Sequence, residues 1–322
     1  MAGRFTPRTS SRAGIPAPRP AAQSRTWAPS KGPLDLALTL TPLRRGPADP
    51  TFRTTPDGTV WRTSRTPAGP ATLRVTAREG AAHADAWGPG AQWMLDQLPA
   101  MLGELDDPDD FEPRHRLVAE TYRARPGLRL TRTGLVLESL IPSILEQKVT
   151  ADEAYRAWRL LVRKYGEPAP GAPEGMHVMP EPRTWALIPS WEWHRAGVDS
   201  KRSATILRAV RVARRMEEAV AMAPRAAAER LELIPGIGPW TSAETLQRAI
   251  GAADLVTVGD LHLPGIIGHA LAGNRHADDA EMLSLLEPYA GQRHRAARLI
   301  LLSGRTPPRR APRMQPRNIA AL

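Results

Sequence analysis

The stretch Leu231-Glu-Leu-Ile-Pro-Gly-Ile-Gly-Pro-Trp-Thr-Ser242 decides how this chain reads. A helix runs into the four-residue turn Pro235-Gly236-Ile237-Gly238, and Pro239 opens a second helix, where its missing N–H costs nothing because the first helical N–H has no intrahelical partner. Gly236 and Gly238 carry no Cβ, so their backbone amides are open to close approach, and the second helix adds free N–H groups and the positive end of its dipole. Such a corner holds an anion without using side-chain charge, and a nucleic-acid phosphate suits it. A bare Gly-x-Gly also serves plain helical corners. The whole pattern, apolar-Pro-Gly-Ile-Gly-x-x-Thr between two helices, is more specific.

Outward from the corner, apolar residues recur at helical spacing over 135–145, 151–165, 203–222, 226–233, 241–250, 265–271, 280–286 and 293–302. Residues 166–182 are dense in Pro and Gly and predict a loop. Ahead of Pro113 the texture changes. Leu34, Leu36, Leu38 and Leu40 alternate with Asp35, Ala37 and Thr39, which predicts a half-buried strand ended by Pro42. Pro56-Asp57-Gly58 predicts a turn into a strand over 59–65, a second strand follows over 71–77, and Trp87-Gly88-Pro89-Gly90 precedes a helix over 91–98. The expectation is an α+β chain: a small α/β unit over 33–112, a linker at 106–110, and an all-α unit over 113–304.

The chain has 322 residues, 44 Lys and Arg against 33 Asp and Glu, and no Cys. Lack of Cys excludes disulfide scaffolds, thiol catalysis and cysteine-ligated metals. No spacing of the eight His suggests a metal site, so none is expected. No apolar stretch approaches the ~20 residues of a membrane span, and the first residues lack a secretory core, which predicts a cytoplasmic, nucleoid-associated protein. The excess charge sits at the ends. Arg4, Arg8, Arg12, Arg19, Arg25 and Lys31 in 1–32, with Arg305, Arg309, Arg310, Arg313 and Arg317 in 305–322, account for all of it, so 33–304 is formally neutral. Both ends are poor in large apolar residues, which predicts mobile basic tails. They serve either as weak, salt-dependent polyphosphate binders or as solubilising segments.

The hairpin, followed by Leu255-Val-Thr-Val-Gly-Asp260, resembles the helix-hairpin-helix DNA glycosylase superfamily, and within it the bacterial 3-methyladenine DNA glycosylase II type. Ile141-Pro-Ser-Ile-Leu-Glu-Gln-Lys-Val-Thr150 is similar to that family's opening motif, with Gln147 at its Gln. The resemblance covers about 34–304. It implies a monofunctional, cofactor-free glycosylase that flips alkylated purines such as 3-methyladenine out of double-stranded DNA, acting as a monomer. It also implies a monovalent cation at the hairpin carbonyls. The alternative from another class is a non-catalytic helix-hairpin-helix DNA-binding protein.

On this resemblance Asp260 is the catalytic carboxylate; on local pattern alone it is a helix N-cap. Trp240 stands where bifunctional relatives carry a nucleophilic Lys, so no Schiff base is expected. It is expected either to stack on the base or to pack between helices. Glu244 replaces an aromatic pocket residue and would attract a cationic base. Lys148 replaces an apolar wedge; it would fill the gap left by the flipped nucleotide, pair with phosphate, or face solvent on a helix. The implied DNA-binding set comprises Gln147, Lys148, the corner Pro235, Gly236, Ile237, Gly238 with Thr241, and Arg293 and Arg295 at the last helix start. An Arg-rich exposed face is the other reading of that last cluster. His262, two residues beyond Asp260, is a neighbour of the site or a structural residue.

Overall fold

The computed structural model describes residues 21–308. The basic segments 1–20 and 309–322 lie outside the described residues.

Five antiparallel strands form a sheet in the order β1-β5-β4-β3-β2: β1 Gln23–Trp27, β2 Phe52–Thr54, β3 Val60–Thr66, β4 Gly69–Arg78 and β5 Ala81–Trp87. Alternation decides the faces. Leu73, Val75, Ala82, Ala84 and Ala86 point inward, where the small Ala side chains let helix α2 (Ala91–Met101) seat Met94, Leu95 and Leu98 against the sheet. On the other face Trp61 stacks on Trp87 with centroids 5.6 Å apart, beneath the Arg74 guanidinium.

Strand β1 corrects the expectation of a mobile tail for the part of 1–32 that is described. Gln23–Trp27 pairs along its length with β5, and Arg25 donates to Leu95 O at 2.9 Å. Nor do Leu34–Leu40 form a strand. Asp35 accepts from Leu38 N–H at 2.9 Å and caps a short helix, α1 Leu36–Leu40. Leu36 and Leu40, one turn apart, enter the core beneath the sheet, while Leu38 packs into a second core formed by the last helices. Alternate leucines therefore reflect burial on two sides of a helix.

The rest is helical: α3 Arg116–Ala124, α4 Val136–Leu145, α5 Ala151–Tyr165, the short α6 Pro182–Ala186 and α7 Ser190–Arg195, α8 Ser200–Arg211, α9 Ala213–Glu217, α10 Pro224–Glu232, α11 Pro239–Ala249, α12 Leu263–Ala272, α13 Asp279–Leu286 and α14 Arg293–Leu302. The expected loop 166–182 contains a two-stranded ribbon, β6 Glu167–Pro168 with β7 His177–Val178, held to the sheet where Thr63 Oγ1 donates to His177 O at 2.6 Å. Buried ion pairs Arg62–Glu138 and Arg45–Glu146 join the sheet side to α4. The presumed linker is fixed as well, since Asp106 pairs with the fully buried Arg295 and Phe111 belongs to the second core.

Candidate active site

Helices α4 and α11 pack side by side in the main core, so the end of α4, the corner before α11 and the loop after it meet at one place. That loop is stapled to α11, with Gln247 Nε2 donating to Leu255 O at 2.8 Å and to Thr257 Oγ1 at 3.0 Å. Farther on, Gly259 N–H meets the Asp279 carboxylate at 3.0 and 3.1 Å. Asp260 sits between these anchors. Its Oδ1 accepts from the backbone N–H groups of His262 and Leu263, both at 2.8 Å, at the start of α12, and its Oδ2 accepts from Trp240 Nε1 at 3.0 Å. The two readings of this residue thus fall on different oxygens: one caps a helix, while the other faces the hairpin.

Ile237 plugs the corner from within, at 6% exposure. The two glycines differ in purpose. Gly236 has φ +101°, and a Cβ there would lie 2.1 Å from Thr205 Oγ1 on α8, so its bareness serves close packing. Gly238 has open space at its Cβ position and immediately precedes the free N–H groups of α11. Of the two glycines expected to admit a ligand, only Gly238 offers open space. Gln147 is a brace: its Nε2 donates to Gly236 O at 2.9 Å and to Thr241 Oγ1 at 2.8 Å. Arg208 Nη1 donates to Pro235 O at 3.0 Å. Donors from α8 and the end of α4 are thus directed at two of the corner's carbonyls. Among the described residues no group of three or more His, Asp or Glu is placed to hold a metal.

Lys148 is not on a helix. It follows the end of α4 in the left-handed region, φ +54°, exposed to solvent. A non-glycine residue seldom adopts this backbone, and here both flanks enforce it. Arg202 Nη1 ties Leu145 O at 2.8 Å on one side, and the Thr150–Glu153 capping box starts α5 on the other.

Trp240, Glu244 and Arg248 lie four apart on one face of α11. The Glu244 carboxylate is already engaged, by Arg248 Nη1 at 2.7 Å and Thr257 Oγ1 at 2.9 Å. Burial opposes the Arg248 charge, but Glu244 and Glu146 outweigh it and the guanidinium pKa is raised. The expectation that Glu244 draws in a cationic base is therefore corrected, because its charge is compensated. Arg295 cannot meet DNA phosphate from its place: it is fully buried against Asp106 and Gln292 Oε1. Arg293 grips Asp254 at 2.8 Å and Glu287 at 2.9 Å. His262 is exposed beside Asp260.

Sequence reasoning did not find Thr205, Arg208 or Asp279, each of which comes from an element remote in the chain. It also did not find the indole–carboxylate hydrogen bond, although a Trp twenty residues before the Asp was in view.

No protein-family model and no curated protein matches the chain. Solved structures do. The 3-methyladenine DNA glycosylase from Archaeoglobus fulgidus superposes with TM-score 0.69 at 16% identity, over 87% of this chain and 98% of that one. MBOgg1 in complex with a low-affinity DNA ligand gives TM-score 0.68 at 14% identity, over 88% and 98%. The apo 8-oxoguanine glycosylase/lyase of Clostridium acetobutylicum gives 0.66 at 11%, over 84% and 93%. By its architecture, then, this chain has the fold of the helix-hairpin-helix DNA glycosylases.

Proposed function

We propose that the protein is a monofunctional DNA glycosylase that hydrolyses the N-glycosidic bond of alkylated purines in duplex DNA. The observation that carries this reading is the Asp260 carboxylate, fixed by three donors, beside an indole where an amine nucleophile would be required for strand cleavage. The duplex is gripped at Gly238 and the amino end of α11, and the damaged nucleotide is flipped toward Asp260. As the C1′–N bond breaks, its electron pair leaves with the base and positive charge grows on the sugar. A fixed carboxylate stabilises that charge. Water then adds its oxygen to C1′, and its proton passes to Asp260 or to solvent. A purine alkylated on a ring nitrogen is cationic and departs neutral, so one carboxylate suffices and water is the only co-reactant. In this reading Lys148, exposed beside the Gln147 brace, enters the vacated stack.

A second reading has an observation of its own. Asp260 Oδ1 caps α12, as it would in a binding protein without catalysis. One experiment separates the two. Duplexes carrying alkylated purines, with oxidised purines as a parallel panel, are incubated with protein, and abasic sites are revealed by alkali. The wild type releases alkylated base, and Asp260→Asn slows release by at least about a hundredfold. Borohydride traps no covalent adduct. Release that persists in Asp260→Asn removes the carboxylate from the chemistry, absence of any release leaves the binding module, and release confined to the oxidised panel reassigns the substrate.

A further inference from the structure

Helix α8 supports the corner at two points, Thr205 against Gly236 and Arg208 on Pro235 O. Its solvent side is cationic. Lys201, Arg208 and Arg211 are exposed at spacings of seven and three, and Arg215 on α9 continues the series four residues on. Lys201, Arg208 and Arg211 share one face of α8 and form a stripe, and Arg215 stands on the next short helix, beyond the break at Val212. Ile206, Ala209 and Val210 are buried on the other side, and Thr205, between Lys201 and Arg208, is buried against Gly236.

None of the four cations forms an ion pair among the described residues, whereas Arg225 and Arg230 on the next helix are paired with Glu229 and Glu218. In a body that is formally neutral over 33–304, these four cations and the equally unpaired Arg214 put five uncompensated charges in fifteen residues beside the turn, which mark a polyanion track. Arg208 joins the two parts. One nitrogen is committed to the corner, and the remaining guanidinium N–H groups stay available to an oxygen anion.

We infer that this stripe is a second phosphate-binding surface, continuous with the hairpin, that holds the backbone of duplex DNA flanking the damaged nucleotide. At 1.5 Å per residue Lys201 and Arg211 are about 15 Å apart along the axis, roughly the rise of four phosphates on one strand at ~3.4 Å each. The surface presupposes the DNA-binding part of the reading above but not the bond-breaking step, so its test uses undamaged duplex.

The test variant is K201Q/R211Q/R215Q, which leaves Arg208 and the corner intact. Anisotropy of a labelled, undamaged duplex is followed from 50 to 200 mM salt. Each lost phosphate contact removes about 0.9 from the slope of log affinity against log salt, so the slope falls by about 2.7. Across that range the wild type loses about 40-fold more affinity than the variant. Arg211→Gln alone, a change at one exposed residue, lowers the slope by about 0.9 and guards against misfolding of the triple variant. Unchanged slopes overturn the stripe and leave the excision reading to its own assay. A wild type without measurable duplex affinity overturns both surface and DNA-binding reading. Wild-type slopes on DNA combined with lost retention on polyglutamate reassign the stripe to an acidic protein.

Discussion

Replacing Trp240 by Phe keeps a ring on the inner face of α11 and removes one N–H. In the wild type that N–H holds Asp260 Oδ2 at 3.0 Å, while Oδ1 is fixed by two backbone amides. The substitution therefore frees the one oxygen not committed to the start of α12. A hydrogen bond to a charged group contributes about 1.5–3 kcal/mol. Both residues are partly exposed, and solvent screening brings this one just below that range, to about 1.4 kcal/mol, or about tenfold in rate. If the indole orients the carboxylate, the loss falls on bond breaking: single-turnover excision from an alkylated duplex slows about tenfold while duplex affinity is retained. A separate readout needs no activity at all. The indole N–H resonance missing from Trp240→Phe spectra should move in Asp260→Asn. Wild-type excision by Trp240→Phe would refute the orienting role, and weakened binding with an unchanged rate would make the ring a stacking wall instead.

The two corner glycines should respond oppositely to Ala. Gly236→Ala combines a positive φ with a 2.1 Å approach to Thr205 Oγ1 and should cost about 2–5 kcal/mol in urea unfolding. Gly238→Ala, with open space at its Cβ, should leave the urea midpoint within about 1 kcal/mol of wild type and weaken duplex binding. His294 sits among Arg298, Arg248 and Arg295, and burial first, then those cations, hold its pKa well below 6.5. The folded state then binds fewer protons than the unfolded, so this contribution to stability is complete above about pH 6.5 and is lost as pH falls toward the folded pKa. Thermal melts from pH 7.5 to 5 should show His294→Gln with a shallower acid decline than wild type; parallel curves would contradict this.

Local chemistry was legible in the sequence where neighbours in the chain decide the outcome. The span Ala151–Tyr165 carries its apolar stripe within itself and is flanked by Thr150 of its capping box and by Gly166, and Arg293–Leu302 was likewise read end to end. Leu34–Leu40 was misread because its period is set by two cores contributed by distant segments; the better local signal was Asp35, a capping residue three before Leu38. Gln23–Trp27 looks like tail because an edge strand with one solvated face needs few large apolar residues. Arg295 belongs to an Arg-rich run that reads as surface, and only the approach of Asp106 makes it interior. At the site, the corner is read from its own residues and Asp260 through the family resemblance, while the braces on them come from α8, α13 and the end of α4, whose placement is a property of the packed chain.

Helix α1 has a wider consequence. Arg298 donates to Leu38 O at 2.9 Å and Arg248 Nε donates to Pro42 O at 2.8 Å, so guanidiniums rooted in α14 and α11 terminate on one short amino-terminal segment. That segment works as a dowel between the sheet and the helices. Cutting the chain ahead of α3 would not yield a smaller working unit. It would strip an acceptor from the arginine one turn behind Glu244 and open a leucine-sized slot in the distal core to water.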